Sequence, residues 1–192
     1  MLADAERRVI QMRSAAATVA PARAAQISER YRAAMPKAPD RIDTLEQAGE
    51  AARHCNRCDL HCHATQTVWG EGSPGARLMI GAITAENRPS LGVEREGAWL
   101  TNAVKHFKFK PQMTARGGKR RLHQNPDRAE IDICKWWLGL EQRFIQPKLT
   151  LALGGTAAYS LTGHKEGITR RRGKVEETEG GPVMLSWHPS YI

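Results

Sequence analysis

No run of this 192-residue sequence stays apolar long enough to span a bilayer. Its first residues, MLADAERRVIQMRSAAATVAPARAA, hold no signal-peptide core either, because charged residues interrupt the apolar ones. Both absences point to a cytoplasmic chain in a reducing compartment. Cysteine is scarce, and there the four present, Cys55, Cys58, Cys62 and Cys134, are expected as ligands or buried thiols rather than disulfides. Internal repeats are absent. Acidic residues are in deficit, 20 against 29 Lys and Arg, for a formal net charge of +9. That balance suits a nucleic-acid binder, although many basic proteins instead sit on membranes or assemble with acidic partners. The deficit is complete from Thr101 to His123, where Lys105, Lys108, Lys110, Arg116, Lys119, Arg120 and Arg121 occur with no Asp or Glu between them. A polyanion is the natural partner of such a stretch.

A chain of this length buries one substantial core. Residues 1–40 are alanine-rich, poor in large apolar residues and broken by Pro21, Pro36 and Pro39, which predicts a helical extension or linker. From Arg41 to His54, Leu45, Ala48, Ala51 and Ala52 recur at helical spacing, with Asp43 or Thr44 available as cap. Four apolar runs predict strands: Arg77 to Ala82, Ala98 to Val104, Leu149 to Leu153 and Val183 to Trp187. Between the second and third, Asp127 and Glu130 form a capping-box pattern. Ile133, Trp137, Leu140 and Phe144 then recur at helical spacing until Pro147. The third strand runs into Gly154-Gly155-Thr156 and a short helix ending near Gly163. This alternation is that of a parallel α/β sheet, which binds ligands beyond the carboxyl ends of its strands. Asn102, Gly154 and His188 all fall at such ends.

Cys55-x-x-Cys58, with Cys62 close by and Cys134 at the start of the long helix, offers three or four thiolates to one centre. A zinc ribbon needs a second close pair, and none exists. Scattered ligands suit a [4Fe-4S] cluster better, because each iron takes a single protein ligand. Cys62 or a histidine such as His106 is available as the fourth.

The segments CNRCDL, ATQTVWGEG, TNAVKHFKF, GGKRRLHQNP, the cysteine before KWWL, LALGGTAAYSLTG and HPSY occur in one order. Together they resemble the iron-sulfur branch of the uracil-DNA glycosylase superfamily, and within it the members that cross-link covalently to uracil-containing DNA. The hallmark of those members is a basic loop of KRR, Leu or Ile, then His. The resemblance implies a three-layer α/β/α domain over residues 41–192 with a central, mostly parallel four-stranded sheet. It also implies a [4Fe-4S] cluster on Cys55, Cys58 and Cys134, with His106 at the place where ordinary members carry another cysteine. Cys62 lies outside the pattern.

By the same resemblance, Asn102 pairs with the edge of a uracil swung out of the helix, and Ser190 of the HPS motif contacts the substrate. His188 stabilises the negative charge of the departing base, and Lys119, Arg120 and Arg121 hold phosphate. His123 becomes the nucleophile that attacks C1′ of the sugar, a role open to a neutral imidazole near pH 7. The implied partner is uracil-containing DNA, single- or double-stranded, bound by a monomer. Without that context His123 reads as one more solvated residue of a basic loop, and Asn102 and His188 as local structural groups. Two departures stand out. After Gly81 the sequence AITAENRPSLGVEREGAWL is shorter than the family's and lacks its Gly-Glu-rich motif. The chain also ends at Ile192, just after HPSY, and residues 1–40 resemble the tail of a domain fused upstream of such glycosylases.

Overall fold

A computed structural model describes residues 41–82, 97–114 and 117–191. The N-terminal extension, Arg116 and the shortened segment at 83–96 lie outside the described residues.

Helix α1 (Leu45–Arg53) starts where predicted. Thr44 caps it by accepting the Gln47 N–H at 3.2 Å, and the Gln47 side chain returns to the Asp43 N–H at 2.8 Å. Its buried residues are small, Ala48, Gly49 and Ala52, so the helix lies close to Trp137 and Leu140 of the long helix. It ends at His54 and delivers the chain to Cys55 and a 3-10 turn, Asp59–Cys62.

The strands are β1 (Glu71–Gly72), β2 (Leu78–Ala82), β3 (Ala98–Asn102), β6 (Leu149–Leu153), β7 (Val175–Thr178) and β8 (Gly181–Ser186), in the spatial order β1-β3-β2-β6-β8-β7. The four predicted strands β3, β2, β6 and β8 are its parallel heart. The expected count of four is corrected to six, because β1 and β7 add antiparallel edges. Neither edge carries the apolar signature of a buried strand: β1 is two residues long and β7 reads Val-Glu-Glu-Thr, as suits an edge facing water. The second and fourth strands also stop short of prediction, at Asn102 and Ser186.

The long helix α2 (Arg128–Ile145) has the predicted box: Asp127 accepts the Glu130 N–H at 2.9 Å, and Glu130 accepts the Asp127 N–H at 2.7 Å. Gln146 closes it in the left-handed region, just before Pro147. Its buried face is Ile131, Cys134, Trp137, Leu138, Leu140, Glu141 and Ile145, so the predicted Ile133 and Phe144 are only half-buried. Helix α3 (Gly154–Thr162) ends at Gly163 as expected. Both α2 and α3 pack on the face of the sheet that carries Met79, Trp99 and Ala152. Ile80, Ala98 and Leu153 form a separate cluster with Leu78, Leu100 and Leu151. The described residues thus supply two of the three expected layers. None of their helices is long and apolar enough to cross a membrane.

The basic stretch, expected as a loop, is a hairpin of its own: β4 (Phe109–Met113) pairs antiparallel with β5 (Lys119–His123). Pro111 is tolerated because in a two-stranded sheet every strand is an edge.

Candidate active site

The parallel strands end together. The chain passes from β2 to β3 on one side and later places β6 on the other, so the sheet's switch point lies at the carboxyl ends of β2 and β6. Asn102 closes β3 and is buried, at 6% exposure. His188 follows β8 and packs on the end of β6. Gly154 there has φ +87°, and a Cβ on it would sit 3.2 Å from the His188 Cβ. The positive φ calls for glycine, and any Cβ would also press on His188.

His123 reaches this neighbourhood from the hairpin. Burial, and then the nearby charge of His123, hold the His188 imidazole below its ordinary pKa, which keeps it neutral further into the acid range. Two histidines distant in sequence are thus brought within electrostatic range at one edge of the sheet. Phe107 orients His123: the rings stack with centroids 5.0 Å apart and planes 28° from parallel, and Phe107 stacks in turn on Phe109 at 6.1 Å. Sequence reasoning missed Phe107, since nothing in HFKF marks one Phe as a platform for a histidine.

Hairpin register separates the basic residues. His123 pairs with Phe109, Arg121 with Pro111 and Lys119 with Met113, which puts Lys119, Arg121 and His123 on one face. Arg120 and Leu122 point to the other face, with Lys110 and Gln112. Arg121 also lies over the Phe109 ring at 4.8 Å. The expected trio Lys119, Arg120 and Arg121 is therefore split two to one. Two further members of the basic run are not offered to a polyanion as expected. Lys105 is fully buried, and Lys108 is bound to Glu130 at 2.8 Å, with Asp127 at 3.5 Å, an association that raises its pKa. The Ser190 side chain lies outside the described residues.

The thiols gather behind the β3 end. Cys55 and Cys134 are buried and Cys58 is half-buried. Cys134, then His106, hold the Cys58 thiol down to about 4, while the Cys58 thiolate and burial push the Cys134 thiol up. Donors point at the sulfurs: the Trp137 indole N–H at 3.1 Å from Cys55 Sγ, and the Lys105 main-chain N–H at 3.4 Å from Cys134 Sγ. The Arg57 guanidinium stacks over Trp136 at 4.4 Å, and burial lowers its pKa. His106 is buried, with Nε2 on the Thr67 hydroxyl at 3.1 Å and Nδ1 without a hydrogen-bond partner among the described residues. Cys62 is exposed, its thiol 3.6 Å from its neighbour His61. No three Cys, His, Asp or Glu among the described residues close around a single metal ion. Soft thiolates, an orphaned imidazole nitrogen and N–H donors to sulfur fit a polynuclear iron-sulfur group, which spreads its ligands, better than one zinc.

Beneath Asn102 lies a second group that the sequence did not announce. Lys105 and Glu141, both fully buried, pair at 2.7 Å, and Thr101 and Gly70 bind the same carboxylate. The one available signal was an acid on the apolar face of α2.

The sequence profile of the uracil DNA glycosylase superfamily matches residues 60–192. The chain is 27% identical over 174 residues to the type-4 uracil-DNA glycosylase of Thermotoga maritima, covering 79% of this chain and 84% of that protein. It is 30% identical over 158 residues to the type-4 enzyme of Sulfurisphaera tokodaii, covering 69% and 66%. Against that of Pyrobaculum aerophilum it is 28% identical over 179 residues, covering 77% and 84%. Given this match and the parallel sheet with Asn102, Gly154 and His188 at its carboxyl edge, the chain belongs to the uracil-DNA glycosylase superfamily, in its type-4 branch.

Proposed function

We propose that this chain is a DNA-repair enzyme that removes uracil from DNA and then holds the abasic sugar through His123. The observation that carries the reading is the placement of Asn102 and His188 at the carboxyl ends of one parallel sheet, Asn102 closing β3 and His188 against Gly154 at the end of β6. The Asn102 amide both donates and accepts, which matches the O4 and N3–H edge of an everted uracil, and Ser190 follows His188 in the same substrate-facing motif. As the C1′–N1 bond breaks, its electron pair stays on uracil, and His188 stabilises the charge that develops on O2. The lone pair of a neutral His123 nitrogen forms the new bond to C1′. The other ring nitrogen then loses its proton to solvent. Phe107 orients the ring for that attack, while Lys119 and Arg121, on the same hairpin face, hold phosphate beside it. Arg120 is left for phosphate on the flanking strand.

Cys55, Cys58, Cys134 and His106 would hold a [4Fe-4S] cluster. When bound, it supplies a cross-link among the Cys55–Cys58 loop, the segment after β3 and α2, which coupled ligand binding converts into stability. No step of the reaction needs it.

The test uses chromophore-bearing protein and single-stranded uracil DNA, reading free uracil and a denaturation-resistant adduct from one tube. Release of uracil with an adduct that His123→Ala abolishes is the expected result, and no release by intact protein would sink the reading. Visible absorbance lost in His106→Ala but kept in Cys62→Ala supports the ligand set, and the reverse overturns it. A second reading, an iron-sulfur DNA-binding protein without excision, is favoured by the missing Gly-Glu-rich motif after Gly81. DNA retention with no uracil released is its signature.

A further inference from the structure

We infer that Lys105 and Glu141 are positioning residues for base recognition, a buried ion pair that fixes the backbone carrying Asn102 and ties it to the thiol site. The inference rests on the functional reading above and adds a source for its selectivity.

Both side chains have 0% exposure, and burying two ions costs more than burying an apolar pair of the same volume. Stability alone gives no reason to keep them. The geometry supplies another reason. All three Lys105 ammonium protons are placed: on Glu141 Oε2 at 2.7 Å, on Thr101 Oγ1 at 2.7 Å and on the Asn102 carbonyl at 2.9 Å. The last bond fixes the peptide plane that follows Asn102, and side-chain rotamers depend on the backbone that bears them. Glu141 in turn accepts the Thr101 hydroxyl at 2.7 Å and the Gly70 N–H at 2.9 Å. A Cβ at Gly70 would collide with the Trp99 indole and the Glu141 carboxylate, so the chain reaches that oxygen only as glycine.

The Lys105 main chain completes the link. Its N–H faces Cys134 Sγ at 3.4 Å and its carbonyl accepts the Val68 N–H at 2.7 Å. One residue therefore holds the Asn102 carbonyl with its side chain and a candidate cluster thiol with its backbone. His106 is the next residue. A site that selects by hydrogen bonds rejects the wrong base only while its donors and acceptors are held in place, and this pair holds them.

The test is the double variant Lys105→Met/Glu141→Gln. It removes both charges, keeps an amide oxygen for Gly70 and Thr101, and leaves the Asn102 carbonyl unpinned. Thermal melting and visible absorbance report whether the domain and chromophore survive. Fluorescence anisotropy gives the affinity ratio for single-stranded DNA with uracil or thymine at one position. We expect a folded, coloured double variant with unchanged thymine-DNA affinity, but with the uracil preference down by about tenfold and kcat for uracil release reduced more than KM is raised. A folded double variant with the preference and kcat of the wild type would make the pair purely structural and overturn the inference. Should the double variant not fold, Thr101→Val removes the hydroxyl shared by Lys105 and Glu141 and keeps both charges. A smaller loss of preference is expected there, since Lys105 keeps the Asn102 carbonyl but loses one of the two contacts that aim its ammonium, and an unchanged preference overturns the inference. Intact protein with neither uracil preference nor release overturns the functional reading, and the inference falls with it.

Discussion

The hairpin and the β3 end both carry lysines of one basic stretch, yet they use them in opposite ways. At the β3 end Lys105 is sealed from water and every proton on its ammonium has a partner. On the hairpin every residue of β5 is exposed, and Leu122 and Met113 are left in water beside the cations. A two-stranded hairpin is only marginally stable in water by itself, and this one leans on the Phe107, Phe109 and His123 rings. The same residue type thus has every donor satisfied inside the protein where it is buried and paired, and keeps its charge available to an outside anion where it is exposed. Local sequence offered little warning of the difference, since both lysines belong to one basic stretch without an acidic residue.

Breaking the buried side should have the largest effect. Lys105→Met alone leaves the Glu141 carboxylate uncompensated, and the expected loss of stability is about 3–5 kcal/mol, read from urea unfolding. A loss below about 1 kcal/mol would mean that water or a rearranged partner reaches Glu141.

On the hairpin the comparison sharpens to one face against the other. Arg121→Ala should weaken binding to single-stranded uracil DNA by about tenfold and lower the yield of covalent adduct, because Arg121 shares a face with His123. Arg120→Ala should weaken binding by loss of an exposed cation but leave the adduct fraction per bound complex unchanged, because Arg120 lies on the other face. Equal adduct fractions in the two variants would refute the separation of faces.

A pH titration probes His188 and the influence of His123 on it. The folded-state pKa of His188 is depressed, by burial first and His123 second, so below the ordinary histidine value of about 6.5 the unfolded chain binds a proton that the folded chain refuses. The contribution of His188 to stability is full above that value and is lost as pH falls toward its lowered folded value. His188→Gln should flatten that part of the stability profile, and His123→Ala should flatten it less. The smallest effect belongs to Leu122→Ala, on the hairpin face away from His123. Its stability should change by no more than about 0.5 kcal/mol, since little burial is lost.

Much of the frame was legible because it follows from local rules. The Asp127–Glu130 box, the stop at Pro147, the Gly163 cap and the four apolar runs are each set by residues a few positions apart. The edge strands β1 and β7 were not legible, since strands facing water lack the apolar signature. The hairpin read as a loop because its charges obscure the alternation. Among the candidate site residues, Cys55, Cys58 and Cys134 stood out by type and spacing. Glu141 could not be foreseen, because an acid on an apolar helix face makes sense only once Lys105, Thr101 and Gly70 surround it.

By itself the sequence determined the parallel core, the helix ends, the thiol set and a basic stretch suited to a polyanion, since propensity, periodicity and charge act at short range. Tertiary structure decided which of those basic residues meet water and which are buried. It also decided that His123 stacks on Phe107 and that Arg121, not Arg120, shares its face. Such matters depend on strand register and on groups distant in sequence, which meet only when the sheet and α2 close around them.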